Sequence, residues 1–191
     1  MDFFSMNKEK ERQKIAPLAD RMRPRKLSEV VGHEEIIGEG KPLNRLIRAD
    51  RVPSLIFFGP PGTGKTTLAG VIAESTNRIF RKISAVTSGV KDIRDLIKEA
   101  EDSLAFEGDR TILFIDEIHR FNKAQQDALL PHVENGTITL IGATTENPFF
   151  EVNKAWLSRA QVVELHRLTS QGLPKISTRG LGDERSGRLR C

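Results

Sequence analysis

A single cysteine occurs among the 191 residues, and it is the last one, Cys191. That excludes an internal disulfide framework and a cysteine-based metal site. No apolar run approaches the roughly 20 residues that a membrane-spanning helix needs. The N-terminus lacks the charged-then-apolar pattern of a signal peptide, which sets the expectation of a cytoplasmic protein. No internal repeat or low-complexity tract is evident. What is present is ordinary globular material, with 38% apolar and 29% charged residues and enough length for one domain with a real core.

The formal charge of +4 is unevenly spread. Residues 1–26 hold eight Lys/Arg against four Asp/Glu, and residues 169–191 hold five against two, so residues 27–168 carry a net −3. A basic lead-in and a basic tail on a slightly acidic centre can touch nucleic acid phosphates, and they read equally well as solvated ends. Charge alone decides nothing here.

Residues 55–67 decide more: Leu55–Phe58 is a short apolar run, followed by Gly59-Pro60-Pro61-Gly62-Thr63-Gly64-Lys65-Thr66-Thr67. Gly59, Gly64, Lys65 and Thr66 satisfy G-x-x-x-x-G-K-[ST], the phosphate-binding loop pattern. The apolar run suits a buried parallel strand, and Thr67–Ser75 carries helical spacing. A strand, a glycine-rich turn and a helix start together form an anion trap, because backbone N–H groups and the helix dipole converge on one spot. Lys65 is placed to reach the β- and γ-phosphates, and the Thr66 hydroxyl to hold Mg²⁺. The pattern implies a nucleotide site.

Around this loop the pattern alternates. Residues 1–15 are polar, and Pro17-Leu18-Ala19 and Arg23-Pro24 suggest an extended entry. Leu27–Val31 reads as a short helix ending at Gly32, and Leu43, Leu46 and Ile47 as a second helical stripe. Strands are expected at Ile79–Ile83, Thr111–Ile115, Thr137–Ile141 and Val162–Leu165. Residues 89–105 form an amphipathic helix through Val90, Ile93, Leu96, Ile97, Ala100 and Leu104. Asn122 with Gln125 resembles a capping box opening a further helix, which Pro131 should kink or shorten. Asn135-Gly136 signals a turn, and Trp156-Leu157 a brief helix. The expectation is an α/β fold with a five-stranded parallel sheet covered on both faces, its ligand beyond the carboxyl ends of the strands.

Asp116 and Glu117 end the third strand. An acid at the carboxyl edge of a strand neighbouring the phosphate loop can hold Mg²⁺, and a second acid beside it can polarise an attacking water. Thr144 and Thr145 follow the fourth strand, where a hydroxyl reaches the γ-phosphate or the water. Arg159 precedes the fifth strand and reads either as a surface arginine or as a guanidinium that stabilises transition-state charge on a neighbouring subunit. His119 lies just past the acids without a partner histidine nearby, which points to a structural or relay role.

These stretches carry a resemblance. Gly59-Pro-Pro-Gly-Thr-Gly-Lys-Thr66, Ile115-Asp-Glu-Ile-His119 and Leu157-Ser-Arg159 resemble the AAA+ ATPases, in the group that contains clamp loaders and the RuvB motor. Ser84–Arg94, His119–Asp127, Ile141–Pro148 and the lead-in Pro17–Pro24 look like the RarA/MgsA replication-associated recombination ATPases, over roughly residues 15–168. The resemblance implies a three-layer P-loop domain that binds ATP and Mg²⁺. It implies that Gly59 to Thr67 form the Walker A loop and that Thr66 and Asp116 hold the metal. Glu117 then completes Walker B, Thr145 is sensor 1 with Thr144 the other candidate, and Arg159 is an arginine finger. Val31 and Gly32, with Pro17–Ala19, would pack around adenine. It further implies a DNA-dependent ATPase acting at stalled replication forks, with forked or single-stranded DNA, other copies of itself and single-strand-binding protein as partners, and no membrane. A clamp-loader subunit, a RuvB-like motor and a non-hydrolysing nucleotide-binding fragment are the alternatives.

Departures from the family pattern are also legible. Ala160 stands where the family has cysteine. Residues 1–26 read as a basic lead-in, 27–168 as the ATPase core, and 169–191 as an irregular basic tail. That tail begins where a helical lid should, so the expectation is a truncated or frameshifted product, or a fragment of a longer gene, without the lid.

Overall fold

The structure is a computed structural model that describes residues 23–76 and 78–167. The segment Pro17–Ala19, most of the basic lead-in and the tail 169–191 lie outside the described residues. Within them, a 3-10 turn, Leu27–Glu29, precedes α1 (Glu34–Ile37) and α2 (Pro42–Arg48). The alternating part follows as β1 (Ser54–Phe58), α3 (Lys65–Glu74), β2 (Arg78–Ser84), α4 (Val90–Phe106) and β3 (Arg110–Asp116). After a 3-10 turn at Ile118–Arg120 come α5 (Lys123–Glu134), β4 (Ile138–Thr144), α6 (Pro148–Glu151), α7 (Lys154–Leu157) and β5 (Ala160–Glu164).

All four pairings between the five strands are parallel, in the order β2-β3-β4-β1-β5. Alternation along each strand divides the core into two layers, because successive side chains leave a strand on opposite faces. Leu55 and Phe57, Ile112 and Phe114, and Ile141 and Ala143 pack with α1, α2 and α3 on one face. Ile56, Leu113, Ile115, Ile138 and Leu140 pack with α4, α5 and α7 on the other. Helices on both faces explain why these strands read as near-continuous apolar runs. Each fully buried Leu, Ile or Phe contributes about 1.5–3 kcal/mol of transfer free energy. The result is the expected three-layer α/β sandwich.

Strand order, on which no expectation was set, places β4 between the acid-bearing β3 and the phosphate-loop strand β1. It is set by backbone pairing, to which a single strand's apolar pattern is blind. Two expectations are corrected. Pro131 does not shorten its helix: α5 runs on to Glu134, and the Asn135 N–H caps it by donating to the Pro131 carbonyl at 3.0 Å. Asp127 and Pro131 are both exposed, so the carbonyl that loses its partner to the proline can be hydrated. The segment Leu27–Val31 makes only the one 3-10 turn, with Val30 already extended.

The capping box is present as expected, with Asn122 and Gln125 each accepting the other's backbone N–H, at 2.9 and 2.8 Å.

Candidate functional site

Parallel strands of this order bring the loops after β1, β3 and β4 to one edge of the sheet. The phosphate loop starts where three strands meet. The Gly59 N–H donates to the Thr144 carbonyl at the end of β4 (3.2 Å), and the Leu165 N–H donates to the Phe58 carbonyl from beyond β5 (2.7 Å). Gly59 has φ +151°, and a Cβ there would stand 2.1 Å from the Leu165 carbonyl oxygen. No side chain fits.

From Gly59 the loop closes on itself. The Thr63 hydroxyl donates to the Pro60 carbonyl at 3.0 Å, and Thr63 is buried. Gly64, at φ +86°, is the N-cap of α3 and offers no side chain to the helix's first N–H groups. Those groups are left for an anion. The helix begins at Lys65, earlier than the apolar spacing from Thr67 indicated. Lys65 Nζ donates to the Gly59 carbonyl (2.7 Å) and the Pro60 carbonyl (2.9 Å). Burial holds its ammonium pKa below the ordinary lysine value, while Glu117 and Asp116 pull in the opposite direction.

Asp116 is the last residue of β3, in register with Ser84 at the end of β2. Its Oδ2 lies 3.7 Å from Lys82 Nζ, and Lys82 also sits over the Phe114 ring. Glu117 follows with a left-handed backbone, φ 54° and ψ 48°, unusual for a residue with a side chain. That twist turns the chain out of the strand and starts the short turn Ile118–Arg120. Ile118 is buried against Gly142 of β4, where a Cβ would fall 2.5 Å from Ile118 Cδ1. His119 places Nε2 3.5 Å from Glu117 Oε2 and Nδ1 2.9 Å from Thr144 Oγ1.

The two threonines after β4 therefore differ. Thr144 belongs to the strand, is fully buried, and has its hydroxyl occupied by His119 and by both the N–H and carbonyl of Glu146. Thr145, the next residue, is partly exposed just past the strand's end.

Arg159 is not brought to the loop. It precedes Ala160, which is paired with Ser54 at the amino end of β1, so the whole length of that strand separates Arg159 from Gly59. A five-residue strand is roughly 17 Å long. Its guanidinium donates to the Ala155 carbonyl (2.8 Å) and Ser158 Oγ (2.9 Å) and pairs with Glu134 of α5.

Val31 lines a cleft of about 410 Å³ together with Leu27, Val30, Ile37 and Asn44. Gly32 follows at φ +90°, its N–H donating to Glu34 Oε2 at 3.1 Å. Sequence reasoning missed the residue after it. His33 is buried, with Nε2 2.8 Å from the Thr63 carbonyl, so it ties this cleft to the phosphate loop across 30 residues of sequence. No local pattern announces such a contact. Glu134, Lys82 and Gly142 were missed for the same reason.

Comparison with known proteins agrees with this geometry. A family model described as "ATPase family associated with various cellular activities (AAA)" matches residues 55–168. The Escherichia coli protein named Replication-associated recombination protein A is 54% identical over 171 residues, covering 90% of this chain and 38% of that protein. A Dictyostelium discoideum protein named ATPase WRNIP1 is 49% identical over 170 residues, covering 89% of this chain and 19% of that one. The Thermotoga maritima RuvB Holliday junction branch migration motor matches with TM-score 0.69 and 29% identity, over 84% of this chain and 54% of the motor. The chain thus spans well under half the length of these curated relatives. Its phosphate loop, its paired acids and all but the first residue of its five parallel strands fall within the matched segment, and the chain belongs to the AAA family of nucleotide-binding ATPases.

Proposed function

We propose that this domain binds ATP with Mg²⁺ and hydrolyses it, as the motor core of a DNA-dependent ATPase that acts in recombination and repair at stalled replication forks. The observation that carries the hydrolytic reading is the loop geometry: Gly64 opens α3 with no side-chain cap, Lys65 Nζ folds over the Gly59 and Pro60 carbonyls, and the Gly59 N–H is held by the end of β4, with the Asp116 and Glu117 charges acting on the same ammonium. The DNA biology is carried by the relatives named for replication-associated recombination and by the RuvB likeness.

The donor set suits Mg²⁺. Thr66 and Asp116 offer hard oxygen ligands. Among the described residues no group of three or more His, Cys, Asp and Glu is arranged to cage a metal. A cation here would draw its remaining ligands from phosphate and water, as Mg²⁺ does. Thr66 and Asp116 would hold Mg²⁺, which would supply charge neutralisation to the phosphates.

The residues divide the remaining work. Gly59, Pro60, Pro61, Gly62, Thr63, Gly64 and Thr67 shape the loop whose N–H groups hold the phosphates. Lys65 leaves its two carbonyl partners to contact the β- and γ-phosphates. Glu117 accepts a proton from the attacking water, and Thr145 orients it against the γ-phosphate. Val31 and Gly32 pack against adenine at the apolar cleft. Arg159, held a strand's length from its own loop, serves the nucleotide of a neighbouring copy, which makes the working unit an oligomer. Single-strand-binding protein is a further partner in this reading. Among the described residues no helix is long and apolar enough to cross a membrane.

Steady-state ATP hydrolysis, with and without forked DNA and beside Lys65→Ala, tests this. Turnover that rises with DNA and disappears in the variant is the expected result. Turnover equal to that of the variant overturns hydrolysis by this chain and leaves nucleotide binding alone.

A further inference from the structure

Glu117 has a carboxylate 36% exposed on a flexible side chain, at the one non-glycine residue of its turn with a left-handed backbone. A general base has to stand within hydrogen-bond reach of one water in one orientation, and an error near 1 Å costs about a hundredfold in rate. Nothing within Glu117 itself fixes that orientation. The structure supplies the restraint from β4.

His119 stands between Glu117 and Thr144, with Nε2 3.5 Å from the Glu117 carboxylate and Nδ1 2.9 Å from the Thr144 hydroxyl. Hydrogen-bond inventory selects the tautomer of a neutral ring. If Nδ1 carried the proton, the Nε2 lone pair would face a carboxylate. With the proton on Nε2, the N–H points at Glu117, Nδ1 accepts from the Thr144 hydroxyl, and Thr144 Oγ1 still accepts the Glu146 N–H at 3.0 Å. Only the carbonyl of the exposed Glu146, 3.2 Å from Thr144 Oγ1, then gives up the hydroxyl proton, and water can replace it there, whereas the opposite tautomer sets a lone pair against a carboxylate. The histidine side chain is 12% exposed and Thr144 fully buried, so water competes poorly for the contact between them.

Thr144 is also where the phosphate loop is anchored, since its carbonyl accepts the Gly59 N–H. The next residue is Thr145. One strand end therefore touches the loop, the residue proposed to orient the water, and, through a histidine, the proposed base.

Resting on the hydrolytic reading above, we propose that His119 is a positioning residue for Glu117, held by Thr144 in the Nε2–H tautomer so that the carboxylate points toward the nucleotide. It touches neither substrate nor metal. It acts through Glu117 alone, and movement at the end of β4 reaches the carboxylate by this route.

The test uses the 191-residue chain with Thr144→Val, Thr144→Ser and His119→Ala. Nitrogen-15 NMR of the nucleotide-free protein reads the tautomer directly. A pure Nε2–H form in the parent, mixed or reversed in Thr144→Val and restored in Thr144→Ser, is expected. Turnover should fall about tenfold to a hundredfold in Thr144→Val and in His119→Ala, with ATP affinity within about twofold of the parent. Combining the two changes should lose no more than the larger single loss, as expected of residues acting in series. A parent ring protonated on Nδ1, unaltered turnover in either variant, additive losses, or a loss carried by affinity instead of turnover would each overturn the proposal. If the parent shows no turnover beyond Lys65→Ala, the hydrolytic reading fails and takes this inference with it. Parent turnover that is unmoved by the variants sinks the inference and leaves hydrolysis standing.

Discussion

Lys65 Nζ donates to the Gly59 carbonyl at 2.7 Å, folding the lysine back over the mouth of its own loop. The contact satisfies the ammonium while no phosphate competes for it, and burial disfavours its charge. Phosphates bind the charged form. ATP affinity should therefore hold near neutral pH and fall as pH rises through the lowered pKa, earlier than for an ordinary lysine. Folding stability moves the opposite way: between the lowered and the ordinary pKa the unfolded chain binds more protons, so this group's contribution to stability rises with pH. Calorimetric titration of ATP from about pH 7 to about pH 10 checks the first sign, with Lys65→Arg as a control whose guanidinium does not titrate there. Equal pH profiles for lysine and arginine would contradict it.

Glu117 combines a needed carboxylate with a backbone at φ 54°. Replacing it with glutamine keeps shape and hydrogen bonding but removes the base, so nucleotide binding should persist while turnover is lost. Glu117→Gly loses turnover as well, yet relieves the left-handed strain. It should unfold about 1 kcal/mol later than Glu117→Gln in denaturant, after allowing for glycine's larger unfolded-state entropy. Equal stabilities would mean that the twist stores no strain.

Two glycines should respond differently to a single methyl group. At Gly59 an added Cβ meets the backbone carbonyl of Leu165 at 2.1 Å under a positive φ, so Gly59→Ala should cost about 3 kcal/mol or more and abolish ATP binding together. At Gly142 the clash is with the end of the Ile118 side chain. Gly142→Ala should cost about 1–3 kcal/mol as Ile118 shifts. Because Ile118 adjoins Glu117, turnover should drop more than affinity. Thermal melts paired with ATP titrations separate the two cases, and a Gly142→Ala protein with full turnover would show that Glu117 is positioned without Ile118.

Arg159 and Glu134 form a half-exposed pair, worth about 1 kcal/mol or less. Glu134→Gln should leave stability nearly unchanged while removing the guanidinium's charged partner and keeping its bonds to Ala155 and Ser158. If Arg159 serves a neighbouring copy, mixing Arg159→Ala with Lys65→Ala protein should recover turnover that neither has alone. One supplies an intact loop and the other an intact arginine. No recovery at any mixing ratio would rule out action across a subunit boundary.

The chain by itself determined what depends on neighbours a few residues apart. Gly59 to Thr66 are adjacent, the apolar runs at Leu55–Phe58 and Thr111–Ile115 each bury on both faces, and Asn122 caps with Gln125. Local spacing therefore revealed the loop, the strands, the paired acids and the α/β class. Pro131 misled because its consequence depends on whether the carbonyl it leaves unpaired faces solvent.

Tertiary structure alone decided the rest. Strand order inserted β4 between β3 and β1, through backbone hydrogen bonds that carry no side-chain signature. The same order separated Thr144 from Thr145, sending one hydroxyl into the core and leaving the other at the edge. His33 met Thr63, Arg159 met Glu134, and Gly142 made room for Ile118, each across a span of sequence on which no periodicity operates. Contacts of that kind arise from close packing of separately formed elements, and packing is fixed only once the whole sheet has assembled.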